Sequence, residues 1–214
     1  GRVNRRGGGF CTGTLIGERL VLTAAHCLRN RNQGSWFHTD DLHFVAGYNR
    51  GEFVAHSAVE RVLVADGYRP QGPGPESAEP ESAAGLENMT RDWAVLVLRS
   101  ALPGVRPLAR RTIDSRDLAA AIEAGVLVRA GYGQDRPEVL TRHSGCRILG
   151  VVRAHALWLN DCDSTRGDSG APLLLRQGAV TEIVALQIAG NNIRNIAVPA
   201  QAFETIAASA SPPR

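Results

Sequence analysis

Short apolar or alternating runs recur along the chain at 13–16, 20–23, 42–46, 59–65, 94–98, 126–130, 146–152, 172–175 and 183–188. Clusters of Gly, Pro, Asn and Asp separate them. Runs of this length and spacing predict strands, and strands punctuated in this way predict an all-β barrel or sandwich. Helical periodicity is confined to two stretches. One is 115–124, where Ser or Asp can cap an Ala-rich turn; the other is 199–208, with a proline near its first turn. Helices are accessories in this reading.

The pattern lapses over 70–85. That segment holds four prolines, three glycines and three glutamates, and no large apolar side chain. It cannot add to a core, so it is expected to be a mobile surface insertion within one two-lobed unit rather than a linker between two independent domains.

Composition narrows the class. The chain has 214 residues, 43% of them hydrophobic and 21% charged, which is a globular balance with enough length for a substantial core. Its apolar runs are far too short to span a bilayer as helices. All 24 basic residues are arginine, yet against 21 acids they leave a net charge of only +3. That charge is too weak and too scattered to read as a nucleic-acid footprint. The chain starts at Gly1 without a charged and then apolar leader, so a targeting peptide is expected to have been removed or to lie outside this sequence.

Four cysteines remain to indicate the compartment. Cys11 and Cys27 lie sixteen positions apart, as do Cys146 and Cys162, and no CxxC suggests zinc or redox chemistry. Three disulfide pairings are open, and the two local ones are favoured. Each would close a loop worth about 3 kcal/mol in the chain-entropy model, which is useful only where disulfides persist. The alternative is four reduced thiols in a cytosolic protein.

Three segments carry candidate chemistry. In Arg166-Gly167-Asp168-Ser169-Gly170-Ala171-Pro172 a serine stands between glycines, after an acid and before an apolar strand. Glycines permit the tight turn that aims a hydroxyl and its neighbouring amides at one point. A serine needs a base and a group to orient that base. The candidate base is His26, at the end of the run Leu20-Val21-Leu22-Thr23-Ala24-Ala25-His26-Cys27. The candidate orienter is Asp92, at the mouth of the strand Ala94-Val95-Leu96-Val97-Leu98. A carboxylate beside so apolar a strand is costly unless a donor such as an imidazole N–H meets it. Each motif alone is met more often as a turn, a core histidine or a strand-end cap; the order His, Asp, Ser is what makes the set specific.

Through these motifs, and through Gly13-Thr14-Leu15-Ile16, the chain resembles the chymotrypsin-like (trypsin-fold) serine peptidases from Cys11 to Phe203. The resemblance implies an all-β fold of two six-stranded antiparallel barrels with a C-terminal helix. The lobes would cover about 1–110 and 111–214, with the active site in the cleft between them. His26 and Asp92 would sit on the first barrel and Ser169 on the second. Cys11 and Cys27 match the family's disulfide beside the histidine, while Cys146 with Cys162 looks closer to bacterial secreted members related to glutamyl endopeptidases.

The function implied is peptide-bond hydrolysis through an acyl-enzyme, with His26, Asp92 and Ser169 catalytic and the N–H groups of Gly167 and Ser169 forming the oxyanion hole. A protein or peptide is the expected partner, with no nucleic acid, no membrane span, no metal and no organic cofactor. A monomer in a secreted or periplasmic setting is favoured. A proteolytically silent binding module and an esterase are the rival readings. Asp163, six residues before Ser169, stands where trypsin-like members place the buried carboxylate that selects Arg or Lys at P1, the residue before the scissile bond. Small or apolar P1 residues are the alternative. Gln187 stands where glutamate-specific relatives carry a histidine, which argues against glutamate. Arg166 falls at the pocket rim. The start Gly1-Arg2-Val3 departs from the family's Ile-Val-Gly-Gly, so Asp168 is expected to pair with an arginine, with backbone amides or with the Gly1 nitrogen. His38, His43, His56, His143 and His155 show no metal-ligand spacing. Trp36, Trp93 and Trp158 are read as core or loop anchors.

Overall fold

A computed structural model describes residues 1–30, 33–70, 82–114, 116–152, 157–190 and 194–204. The first half carries strands β1 (Arg2–Arg5), β2 (Phe10–Thr12), β3 (Thr14–Gly17) and β4 (Leu20–Thr23), then the short pair β5 (Arg29–Asn30) and β6 (Ser35–Trp36). β7 (Leu42–Ala46), β8 (Ala55–Val64) and β9 (Ala94–Leu98) follow. The second half carries β10 (Val126–Gly131), β11 (Thr141–Ser144), β12 (Ile148–Val152), β13 (Leu157–Asn160), β14 (Pro172–Gln177), β15 (Val180–Gly190) and β16 (Asn195–Pro199). Helices α1 (Ala83–Met89) and α2 (Leu118–Glu123) are short.

The strands form two antiparallel seven-membered sheets, in the orders β2-β1-β7-β8-β9-β4-β3 and β11-β10-β14-β15-β16-β13-β12. In the first, the end members β2 and β3 are one stretch of chain interrupted only at Gly13. In the second, β11 and β12 are separated only by residues 145–147. Each sheet therefore bends round so that its two margins belong to one interrupted strand. This is how seven segments make the expected six-stranded barrel. β9, buried at all five positions, is the centre of the first barrel, and Leu127, Trp158, Leu173, Leu175 and Val184 fill the second.

The apolar runs at 20–23, 42–46 and 94–98 coincide with β4, β7 and β9. β1 and β11 are too polar to stand out by pattern, and β2, β13 and β16 each hold an apolar run of three residues or fewer. Of the stretch 199–208 expected to be helical, Ala200–Phe203 form a 3-10 turn, and 205–208 lie outside the described residues. The expected insertion at 70–85 is corrected at its end. Ser82 accepts a hydrogen bond from Gly85 N (3.0 Å) and caps α1, while 71–81 lie outside the described residues.

Candidate active site

β4 ends at Thr23, and the fully buried Ala24 and Ala25 allow a tight 3-10 turn, Ala25–Leu28, that carries His26. Asp92 immediately precedes Trp93 and β9. The two residues meet at two points. His26 N donates to Asp92 Oδ1 (2.8 Å), and His26 Nδ1 lies 2.7 Å from Asp92 Oδ2. A carboxylate accepts, so this contact places the ring proton on Nδ1 and leaves Nε2 as the basic nitrogen.

Nε2 lies 3.8 Å from the Cys27 sulfur, which is itself 3.8 Å from the Ser169 carbonyl oxygen. The Ser169 backbone and the imidazole thus share contact with a single sulfur atom. That sulfur belongs to the Cys11–Cys27 disulfide, and Cys146–Cys162 forms the second bridge. Cys11, His26 and Cys27 cluster closely, but disulfide sulfurs offer no thiolate to a metal.

The loop before Ser169 is held by its own backbone and by a buried ion pair. Asp168 N donates to Thr165 O (3.1 Å), and Ala171 N donates to Asp168 O (2.8 Å). Gly167 (φ 97°) and Gly170 (φ 83°) adopt the left-handed backbone that such a turn requires. Among the described residues, neither Gly167 nor Ser169 gives its own N–H to an acceptor. Two unspent donors therefore flank the serine.

Asp168 takes two of the partners foreseen for it. Arg129 Nη1 reaches Asp168 Oδ1 at 2.7 Å, and Thr165 N donates to Oδ2 at 2.9 Å. Arg129 is 4% exposed and Asp168 0%. Burial lifts the Asp168 carboxyl above the usual carboxylate range, and the Arg129 charge pulls it back part of the way. The Gly1 nitrogen is engaged elsewhere, donating to Gly13 O (2.9 Å). Gly131 has no side chain where Asp168 Oδ1 and the Ala171 methyl pack, which makes room for the pair.

The predicted specificity residues divide. Asp163 is exposed rather than buried; its amide donates to His143 Nδ1 (2.7 Å) and its carbonyl accepts from Arg129 Nε (2.7 Å). Arg166 is exposed too. Gln187 is buried directly behind the serine loop, where its carbonyl accepts from Gly170 N (2.8 Å). Its side chain belongs to a neutral amide cluster that motif reading missed. Asn160 Nδ2 donates to Gln187 Oε1 (3.3 Å), and Asn195 Nδ2 donates to Cys162 O. Asn195 is buried, but among the described residues its Oδ1 accepts no hydrogen bond.

A family model for trypsin matches residues 1–207. The chain belongs to the trypsin family. Among solved structures, this trypsin-family chain is similar to a Glu endopeptidase determined in complex with MPD. The TM-score is 0.73 and the identity 20%, covering 97% of this chain and 88% of that one. At that identity the likeness speaks for the fold, and the fold is the chymotrypsin-like pair of barrels.

Proposed function

We propose that this trypsin-family chain is a serine endopeptidase with Ser169 as nucleophile, His26 as general base and Asp92 as orienter. The observation that carries the reading is the two-point grip of Asp92 on His26, through Oδ1 to the backbone N–H and Oδ2 to Nδ1. In this reading Ser169 Oγ attacks the scissile carbonyl and passes its proton to His26 Nε2. The same proton then goes to the leaving amine, which departs to leave the acyl-enzyme, and water completes the cycle in the same way. Asp92 holds the tautomer and stabilises the imidazolium. The unspent N–H groups of Gly167 and Ser169 stabilise the developing oxyanion, each worth about 3 kcal/mol at the transition state.

Supporting an uncharged P1 residue is the exposed position of the Asp163 carboxylate, with only the neutral amides of Gln187, Asn160 and Asn195 buried behind the serine loop. A small or apolar residue suits such neutral surroundings; an unshielded charge does not. The first lobe comprises about 1–110 and the second about 111–214. The two disulfides suit an oxidising compartment, secreted or periplasmic, and no described helix is long and apolar enough to cross a membrane.

The test is labelling by a fluorophosphonate with mapping of the adduct, alongside hydrolysis of a denatured protein and of a simple ester. Labelling at Ser169 with proteolysis supports the proposal. Ester hydrolysis alone favours the esterase, and an inert Ser169 favours the silent binding module. Ser169→Ala should lower kcat by about 10⁶-fold, and Asp92→Asn by about 10⁴-fold.

A further inference from the structure

We propose that Thr12 is a positioning residue that sets the oxyanion geometry from the opposite lobe; the inference rests on the peptidase reading of Ser169. Thr12 ends β2, next to the Cys11–Cys27 disulfide, and is 1% exposed. Its backbone N donates to Ser169 O (2.9 Å) and its hydroxyl donates to Gly167 O (3.1 Å). The same hydroxyl accepts from Tyr132 N (2.9 Å), and the Thr12 carbonyl accepts from Thr23 Oγ1 (2.8 Å). A hydroxyl has one proton to give, and here it is committed to the serine loop.

The importance of these bonds follows from the planarity of the peptide. In a trans peptide the C=O and the following N–H point in opposite directions, so fixing one aims the other. Four consecutive peptides run from Arg166 to Gly170, and all four carbonyls are held. Gln134 N holds Arg166 O (2.6 Å), Thr12 Oγ1 holds Gly167 O, Ala171 N holds Asp168 O and Thr12 N holds Ser169 O. Their N–H groups alternate. Those of Asp168 and Gly170 are bonded, to Thr165 O and Gln187 O, whereas those of Gly167 and Ser169 are unspent.

Two of the four anchors are therefore Thr12, and the other two come from the second lobe. Gln134 and Ala171 hold the peptides that carry the two unspent N–H groups, and Thr12 holds the peptide that follows each, so Gly167 and Ser169 are each clamped between two anchored planes, the second of them fixed by Thr12. Seating the first lobe against the second therefore completes the clamp on both oxyanion donors. Gly170 reinforces the join by packing without a side chain against Thr12 O and Thr23 Oγ1.

The experiment compares wild type with Thr12→Val, which keeps the shape and removes the hydroxyl, and with Thr12→Ser, which restores it. Measured quantities are kcat, KM and the affinity of a peptidyl boronate whose tetrahedral adduct occupies the oxyanion site. Thr12→Val should lose about 100-fold in kcat, as for loss of one oxyanion donor, and a like factor in boronate affinity, with KM within about threefold. Thr12→Ser should recover to within about tenfold of wild type.

A folded Thr12→Val with unchanged kcat and boronate affinity overturns the assignment, as does a loss that Thr12→Ser does not recover. Should near-UV circular dichroism show that Thr12→Val does not fold, Thr23→Val decides. It removes the bond to the Thr12 carbonyl and should lower kcat and boronate affinity together without moving KM; no such change overturns the assignment. A wild type inert to fluorophosphonate overturns the peptidase reading and the role of Thr12 with it. An active wild type with an indifferent Thr12→Val overturns Thr12 alone.

Discussion

Arg129 reaches across the interior of the second lobe to Asp168, the residue immediately before Ser169, and the pair is almost wholly shielded from water. The serine loop thus draws its internal cation from β10, while the Gly1 nitrogen is engaged by Gly13 O. Replacing Arg129 by Met leaves a buried carboxylate without its partner, which should cost about 3–5 kcal/mol of stability. Urea denaturation checks the stability, and titration with a fluorophosphonate counts how many serine loops remain competent.

The same pair gives a pH signature. Burial already raises the folded Asp168 pKa above its ordinary value of 3.8. A raised folded pKa means that the folded chain holds the proton more tightly than the unfolded chain. The associated stability is complete below the unfolded pKa and is lost as pH rises through the folded one. Without Arg129 to oppose burial, the shift in Arg129→Met should be larger. The deficit of that variant relative to wild type should therefore widen from acidic to neutral pH, as read from unfolding midpoints across that range.

The two disulfides should separate stability from activity. Each joins cysteines sixteen positions apart, so removing either should cost about 3 kcal/mol. Cys146→Ser with Cys162→Ser should leave kcat of the folded fraction near wild type. Cys11→Ser with Cys27→Ser should also lower kcat, because the Cys27 sulfur contacts both His26 Nε2 and the Ser169 carbonyl. Thermal unfolding and active-site-normalised kcat distinguish the two outcomes.

Specificity offers a third measurement. In a peptide-library profile, Asp163→Asn should leave the P1 preference unchanged, because that carboxylate is exposed. Asn195→Ala removes the amide bonded to Cys162 O and should admit larger uncharged P1 residues. A switch away from basic P1 in Asp163→Asn would return the recognition role to Asp163.

Gly170→Ala tests the close approach of the lobes. Gly170 has a left-handed backbone, and an added methyl would meet the Thr12 carbonyl oxygen and Thr23 Oγ1. Backbone on one side and a bonded hydroxyl on the other leave little room to yield. The variant should be destabilised by more than about 1 kcal/mol, and its serine loop should label slowly.

How much of this was legible in the sequence depended on whether a residue's partner could be read locally. The strand from Ala94 to Leu98 announces itself because every position is buried. The loop around Ser169 does so because its glycines are punctuation. β16 does not stand out because its apolar core is only Ile196-Ala197-Val198, set between Asn195 and Pro199, and that asparagine belongs to the amide cluster behind the serine. Arg129 did leave a trace. In Val126-Leu127-Val128-Arg129, strand alternation puts Leu127 and Arg129 on one face, and an inward arginine demands a buried acid. Which acid it meets is set by the pairing of β10 with β14, a contact between distant segments. Thr12 left no trace, since its partners at Tyr132, Gly167 and Ser169 lie more than a hundred positions away.

The closure of each sheet through one interrupted strand, at Gly13 in the first lobe and at 145–147 in the second, has a consequence for life at high concentration. Open ladders invite a neighbouring chain to add itself and propagate. Two cylinders sealed by their own polypeptide give an intruding segment few unpaired rungs, so crowding should favour separate molecules over fibrils.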